Sequence, residues 1–167
     1  VTEGDTITLP MVDGKIKIVG IDEKIGESDP YDIVYGEDWG TEYLKQGETY
    51  TFGDYKVTIL DIDAYDDKAL FEVDGPEGSE LLIITAPERK TLFDGGISLE
   101  LKDTFVGIEG NLIAQVSAAT DLKGIKSGEE ILDGWEIDIK KVTKDNTTYI
   151  QAITMKNTKE LSGKTIK

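Results

Sequence analysis

The densest acidic run in the chain is Asp61-Ile62-Asp63-Ala64-Tyr65-Asp66-Asp67. Its four carboxylates, on Asp61, Asp63, Asp66 and Asp67, offer the oxygen ligands that a hard cation such as Ca²⁺ takes in proteins. Tyr65 and Asp66 stand where an EF-hand loop needs an oxygen donor and a glycine, which excludes that loop. Two interpretations stay open: an irregular Ca²⁺ site or a solvated acidic strand end.

A second, looser acidic group lies between residues 24 and 42, a stretch rich in Gly, Asp and Glu. It consists of Asp29, Asp32, Glu37 and Asp38. The same two interpretations apply to it, because clustered carboxylates occur both at cation sites and on solvated surfaces.

Asn146-Thr147-Thr148 forms an N-glycosylation sequon. It falls in a polar turn between two expected strands, which is the exposed setting that a glycan needs. If the chain is extracellular, we expect a glycan on Asn146.

Composition excludes several classes of function. The 167 residues include no cysteine and no histidine, so thiol nucleophiles, Ser-His-Asp triads and the usual zinc sites are absent. The formal net charge of −16 repels phosphate backbones and anionic lipid surfaces, so neither nucleic acid nor membrane insertion is expected. Paired carboxylates could hydrolyse glycosides, but nothing selects a pair among 34 acids, and we expect no enzyme.

The elements that position these residues are predicted to be short strands. Ile, Val and Thr together make up 46 residues, and β-branched side chains pack well on a pleated surface. Alternating segments separated by Gly, Asp and Asn turns recur about every ten residues, which is typical of a sandwich or barrel. Residues 24–42 are predicted to be a long connection with one strand at Tyr31 to Tyr35. Trp135 is expected in the core. Trp39, between Asp38 and Gly40, has a surface or interface position as one open interpretation.

One pattern occurs three times along the chain. Each copy has a glycine followed by an acidic residue, a short strand, a Gly turn and a longer alternating strand. The copies begin at Gly4-Asp5, Gly47-Glu48 and Gly128-Glu129, and their turns are predicted at Asp13-Gly14, Gly53-Asp54 and Asp133-Gly134. The shared order indicates duplicated β-modules.

These segments resemble the repeated β-domains of archaeal surface-layer (S-layer) proteins. The resemblance is carried by residues 47–57 (GETYTFGDYKV), 103–108 (DTFVGI) and 125–135 (IKSGEEILDGW) and covers about residues 4 to 155. It implies β-sandwich domains of a structural, extracellular coat that self-assembles into a lattice, is often glycosylated and often depends on divalent cations. The signal and anchoring parts of such proteins are not among these residues, which implies an internal piece of a longer chain.

The sequence therefore predicts an all-β protein of two β-sandwich modules, immunoglobulin-like or related. Residues 43–123 are predicted to form one module, and residues 1–42 with 124–167 a second, discontinuous one. The expected function is a structural S-layer subunit at the cell surface that self-associates, with Ca²⁺ as a possible bridging ion. The alternative is a carbohydrate- or ligand-binding module of a secreted protein or adhesin, which an exposed row of aromatic side chains would favour.

Overall fold

A computed structural model describes residues 3–7, 16–26, 28–132 and 135–157. The described part of the chain contains thirteen β-strands and one single 3₁₀ turn at Phe93–Gly95. The strands are β1 Thr6–Ile7, β2 Ile16–Glu23, β3 Tyr31–Lys45, β4 Thr49–Phe52, β5 Tyr55–Asp63, β6 Lys68–Gly75, β7 Gly78–Thr85, β8 Arg89–Leu92, β9 Ile97–Val106, β10 Leu112–Ile125, β11 Glu130–Leu132, β12 Trp135–Lys144 and β13 Thr147–Asn157.

The strands form three antiparallel sheets, which confirms the all-β prediction. A six-stranded sheet has the order β1-β2-β3-β10-β9-β8, a four-stranded sheet has the order β4-β5-β6-β7, and a three-stranded sheet has the order β11-β12-β13. In β6, buried residues alternate with partly buried ones, because successive side chains point to opposite faces of a sheet.

The described residues form three buried hydrophobic clusters. The smallest, Val19, Val34 and Ala119, lies within the six-stranded sheet, and the other two are hydrophobic cores between sheets. The first is formed by the four-stranded sheet, through residues such as Phe71, with β9 and β10 of the six-stranded sheet. The second joins β2 and the start of β3 to the β12–β13 hairpin, through residues such as Ile137. Each core is thus enclosed by two facing sheets, which is the packing of a β-sandwich and confirms that prediction.

Strands β3 and β10 contribute to both cores. Leu44 of β3 lies in the first core and Ile33 of β3 in the second, and Ala114 and Ile125 of β10 are divided in the same way. The predicted module boundaries after residues 42 and 123 fall within these two strands. The boundaries themselves stay a prediction.

The threefold sequence pattern is present in the backbone. In each copy the glycine N–H donates to the carbonyl oxygen of an isoleucine, whose own N–H donates to the carbonyl oxygen of the acidic residue after the glycine. The sets are Gly4, Asp5 and Ile18 (2.5 and 2.8 Å), Gly47, Glu48 and Ile59 (2.7 and 3.0 Å), and Gly128, Glu129 and Ile137 (2.8 and 3.0 Å). All three isoleucines are fully buried.

The glycines of these corners have φ of +91°, +92° and +88°, a backbone region that L side chains rarely adopt. We call Gly4, Gly47 and Gly128 the corner glycines. A Cβ at any of them would meet no atom within 4 Å, so the backbone conformation, and not space, requires glycine there. The turns predicted at Asp13-Gly14 and Asp133-Gly134 lie outside the described residues.

The structure differs from the sequence predictions in three places. The expected connection at residues 24–42 is wrong, because β3 runs from Tyr31 to Lys45. Strand β8, Arg89–Leu92, was not predicted. Trp135 is 40% exposed and is not a core residue, since it begins strand β12 at the end of its sheet.

Candidate functional site

The acidic run forms the turn between β5 and β6. Asp63 ends β5, and its Oδ1 accepts the N–H groups of Tyr65 and Asp66, both at 3.0 Å. Asp67 has φ +53°, and its Oδ1 accepts the hydroxyl of Thr104 at 3.0 Å. Asp63 therefore holds the turn closed, and Asp67 ties it to β9.

The four carboxylates of this run do not converge. Among the described residues, no three His, Cys, Asp or Glu side chains are grouped so that they could hold a metal ion. The Ca²⁺ site at Asp61, Asp63, Asp66 and Asp67 stays a prediction. Two of the four, Asp61 and Asp63, instead line an open depression of about 200 Å³ together with Lys68, Leu70 and Ile83.

Two members of the second acidic group, Asp32 and Asp38, pair with different lysines. Asp32 accepts a hydrogen bond from Lys141 Nζ at 2.6 Å and from the N–H of Ser127 at 2.6 Å, and Lys141 also pairs with Asp22. Burial of Asp32 disfavours its charged form, but these hydrogen bonds outweigh burial and lower the pKa of its carboxyl. The same two carboxylates raise the pKa of Lys141. This cluster fastens β12 to β2 and β3.

Asp38 belongs to a separate, buried polar network around Lys17. Lys17 is 4% exposed; its Nζ donates to Ser117 Oγ at 3.1 Å and lies 3.7 Å from Asp38 Oδ1. Burial lowers the pKa of Lys17. Burial also opposes ionisation of Asp38, yet hydrogen bonds from the Gly40 N–H and the Thr6 hydroxyl, with Lys17, hold the pKa of its carboxyl below the usual value.

The network continues through Ser117 to the edge of the sheet. Ser117 donates to Glu100 Oε1 at 2.9 Å, and Arg89 Nη2 donates to the same oxygen at 3.1 Å. Arg89 Nη1 also donates to the Val19 carbonyl at 3.1 Å. Side chains of β2, β8, β9 and β10 are thereby connected. The sequence analysis missed these residues, and the one available signal was that Arg89 is the single arginine of the chain.

The sequon lies in the β12–β13 hairpin, as predicted. Lys144 pairs with Thr147, which leaves Asp145 and Asn146 as a two-residue loop with φ of +53° and +63°. Both residues are exposed, and positive φ at both loop positions is typical of a type I′ hairpin. The Asn146 side chain is therefore accessible.

The outer face of the four-stranded sheet carries apolar side chains. Leu70 of β6 lies directly opposite Ile83 of β7, and Leu60 lies at the β-bulge where β5 pairs with Leu70. Leu81 and Ile83 are 64% and 59% exposed on β7, which has a strand neighbour on one side only. The sequence contained the signal for this face, the four-residue apolar run Leu81 to Ile84, but not its exposure.

Two aromatic rings are exposed on the six-stranded sheet. Tyr43 of β3 and Phe105 of β9 meet edge to face with their centroids 6.2 Å apart, and Gln115 Nε2 donates to the Tyr43 hydroxyl at 3.3 Å. Tyr43 is 61% exposed. Trp39 of β3 is also partly exposed, and its indole N–H donates to Thr120 Oγ1 at 2.8 Å.

Comparison with known proteins identifies a family for this chain. A search of curated proteins found no match to the chain. Within the residues that the structure describes, no helix is long and apolar enough to cross a membrane. One family, described as the S-layer like family, central region, matches residues 1–167. The match covers the whole chain, and the protein therefore belongs to the S-layer like family.

Proposed function

We propose that this chain is a structural subunit or domain of an S-layer, a protein coat on the outside of the cell. The observation that carries this proposal is the family match over residues 1–167. Membership of a coat family supports self-assembly into a lattice, a location at the cell surface and a structural role without catalysis. Tightly hydrogen-bonded antiparallel sheets suit such a role, because they give a module a fixed shape.

The finer parts of the proposal concern the glycan and the cation. Exposure of Asn146 at the tip of the β12–β13 hairpin supports glycosylation there. A bridging Ca²⁺ at the Asp61–Asp67 turn, and the archaeal origin that the resemblance implies, stay predictions.

Surface labelling tests the proposal. Antibodies raised against the 167-residue chain are applied to intact cells of the source organism, followed by gold-labelled electron microscopy and tomography of isolated envelopes. We expect dense labelling of the outer surface and a regular lattice that is lost when the gene is removed. Labelling confined to broken cells, or an unchanged envelope without the gene, would contradict a coat function.

The second candidate is a carbohydrate-binding module, which the exposed pair Tyr43 and Phe105 favours. Aromatic faces stack on sugar rings, and the neighbouring Gln115 amide offers a donor and an acceptor to hydroxyl groups. A glycan array with the wild-type chain and Tyr43→Ala tests it. Binding that Tyr43→Ala abolishes supports this function, and the absence of any bound glycan contradicts it.

A further inference from the structure

We propose that the outer face of β5–β7 in one copy of the chain binds the outer face of β12–β13 in a second copy. This inference rests on the proposed coat function and names the two surfaces that would join neighbouring copies. It is carried by an exposed apolar stripe, a depression within that stripe and a difference in charge between the four-stranded sheet and the β12–β13 hairpin.

The first surface is called the acidic face. Its apolar part crosses three strands and consists of Leu60, Leu70, Leu81 and Ile83. Carboxylates border it: Glu72 lies directly opposite Leu81, and Asp61 lies opposite Leu70. Contiguous exposed apolar side chains that are rimmed by polar ones mark interaction surfaces.

The depression on this face is lined by both charged and apolar side chains. Asp61 and Asp63 supply carboxylates, and Leu70 and Ile83 supply apolar surface. Lys68 also lines it, and its ammonium lies 4.0 Å from the Asp66 carboxylate, so within the described residues it leaves Asp61 and Asp63 without an ion pair. A lysine side chain from a second copy fits this depression, because its aliphatic stem packs on apolar groups while its ammonium reaches the carboxylates. In the described part of the chain, Asp61 has no ion-pair partner and Asp63 uses Oδ1 for the turn.

The second surface is called the lysine face. Strand alternation places Lys140, Val142 and Lys144 on the outer side of β12, since Ile139 is buried and Lys141 points to the opposite side, toward Asp22 and Asp32. Tyr149 of β13 lies directly opposite Val142, and both are partly exposed. This surface therefore has an apolar centre between two exposed lysines.

Charge is unequally distributed between the four-stranded sheet and the β12–β13 hairpin. Residues 49–85 hold nine carboxylates and two lysines, whereas residues 135–157 hold three carboxylates and four lysines. In a chain with a net charge of −16, most pairings of surfaces from two copies bring like charges together. The lysine face therefore carries charges that complement those of the acidic face.

The two faces belong to opposite ends of the long strands. The four-stranded sheet packs near Leu44 of β3, and the β12–β13 hairpin packs near Ile33 of the same strand. Eleven residues of extended chain separate these positions, which is about 35 Å along the strand. A contact between two different faces is heterologous, so it repeats from copy to copy and forms an open row unless the rotation between copies closes it into a ring. An open row is one direction of a two-dimensional lattice, and it is the arrangement that the coat function requires.

Sedimentation velocity of four variants tests the contact. The first is the double variant Asp61→Lys/Ile83→Lys, which places positive charge on the acidic face. The second is the double variant Lys140→Glu/Val142→Glu, which places negative charge on the lysine face. The matched controls, Asp54→Lys/Ile108→Lys and Lys90→Glu/Val106→Glu, make the same charge changes at exposed positions elsewhere. Circular dichroism establishes that each variant is folded.

The expected result is specific to a head-to-tail contact. The wild-type chain and both controls sediment as species that grow with concentration, and each face variant alone sediments as a monomer. An equimolar mixture of the two face variants gives a dimer and nothing larger, because one intact face of each kind remains.

Four results would overturn the proposal. They are a wild-type chain that stays monomeric, face variants that associate as the controls do, a mixture of the two variants that stays monomeric, and association that a chelator of divalent cations abolishes. The last result would replace lysine pairing by a cation bridge. None of them bears on surface labelling of cells, so a failed contact and a failed coat function are told apart.

Discussion

Replacing the corner glycine Gly47 by alanine tests the physical basis of the repeat. Gly47 has φ +92°, and an added Cβ would meet no atom within 4 Å. The free energy of unfolding should therefore fall through backbone strain alone. Left-handed backbone costs an L-residue about 1–2 kcal/mol. Alanine also reduces the conformational freedom of the unfolded chain, which offsets about 0.4–1 kcal/mol of that loss.

The expected net loss is about 1 kcal/mol, which lowers Tm by about 2–4 °C in a chain of this size. Gly128→Ala should lower the free energy of unfolding by the same amount, since Gly128 has φ +88° and equally open surroundings. Gly47 and Gly128 contact isoleucines of different cores, so the variant with both alanines should lose about the sum of the two single losses in the free energy of unfolding. Asparagine tolerates positive φ better than alanine, so Gly47→Asn should lose less than Gly47→Ala.

Calorimetry measures Tm, and chemical denaturation measures the free energy of unfolding. Thr51→Ala, an exposed change on the neighbouring strand β4, is the matched control and should stay within about 0.5 kcal/mol of wild type. The reasoning is refuted if Gly47→Ala is as stable as the control. It is also refuted if the asparagine variant is less stable than the alanine variant, because strain at positive φ would then not be the cause.

Three further predictions concern charge, core and cation. The pKa of Asp32 in the folded state is below its ordinary 3.8. The stability that its carboxylate contributes is therefore present above pH 3.8 and is lost as pH falls through the lowered pKa. Urea midpoints measured from pH 7 to pH 3 should fall less steeply in Asp32→Asn and in Lys141→Met than in wild type. Phe71→Ala should cost about 3–5 kcal/mol in urea denaturation because Phe71 is fully buried, whereas Leu81→Ala on the exposed face should change the stability of the monomer by less than about 0.5 kcal/mol. A Ca²⁺ site in the acidic turn predicts a Tm that rises with added CaCl₂ in wild type and not in Asp63→Asn.

Each of these has a result that would contradict it. Parallel pH profiles for wild type and Asp32→Asn would show that the Lys141 pair does not depress the pKa. If Phe71→Ala and Leu81→Ala lowered the free energy of unfolding equally, the inner and outer faces of the four-stranded sheet would be misassigned. A wild-type Tm that does not respond to CaCl₂ would remove the calcium hypothesis.

Local sequence patterns predicted many of the strands correctly. The alternating segments after the expected turns at Asp13-Gly14 and Asp133-Gly134 were predicted as strands, and they form β2 and β12. Alternation is informative because the side-chain period of a strand is set within the strand itself. Strand β3 was predicted too short. Its second half, from Gly36 to Thr41, is rich in Gly and acidic residues, and it forms a strand because β10 pairs with it. Tertiary pairing here overrides weak local propensity.

In the candidate site, too, the local features could be predicted from the sequence and the contacts between distant residues could not. The sequence alone identified the exposed sequon at Asn146, since a two-residue loop between alternating strands is a local feature. It grouped Asp32 and Asp38 as one acidic cluster, and the structure separates them. Asp32 bonds Lys141, 109 residues away, while Asp38 pairs with Lys17 in a different, buried network.

The sequence by itself determined the all-β class and the threefold glycine-acid pattern, because composition and short-range periodicity specify strands and turns. The S-layer family was indicated by the resemblance of particular segments and is shown by the family match over residues 1–167. Tertiary structure alone decided which charges meet and which apolar residues stay exposed. Leu81 and Ile83 look like core residues in the sequence, but β7 is an edge strand whose outer side nothing in the described chain covers. Strand order and sheet packing are set by contacts between distant residues, and a local pattern does not contain them.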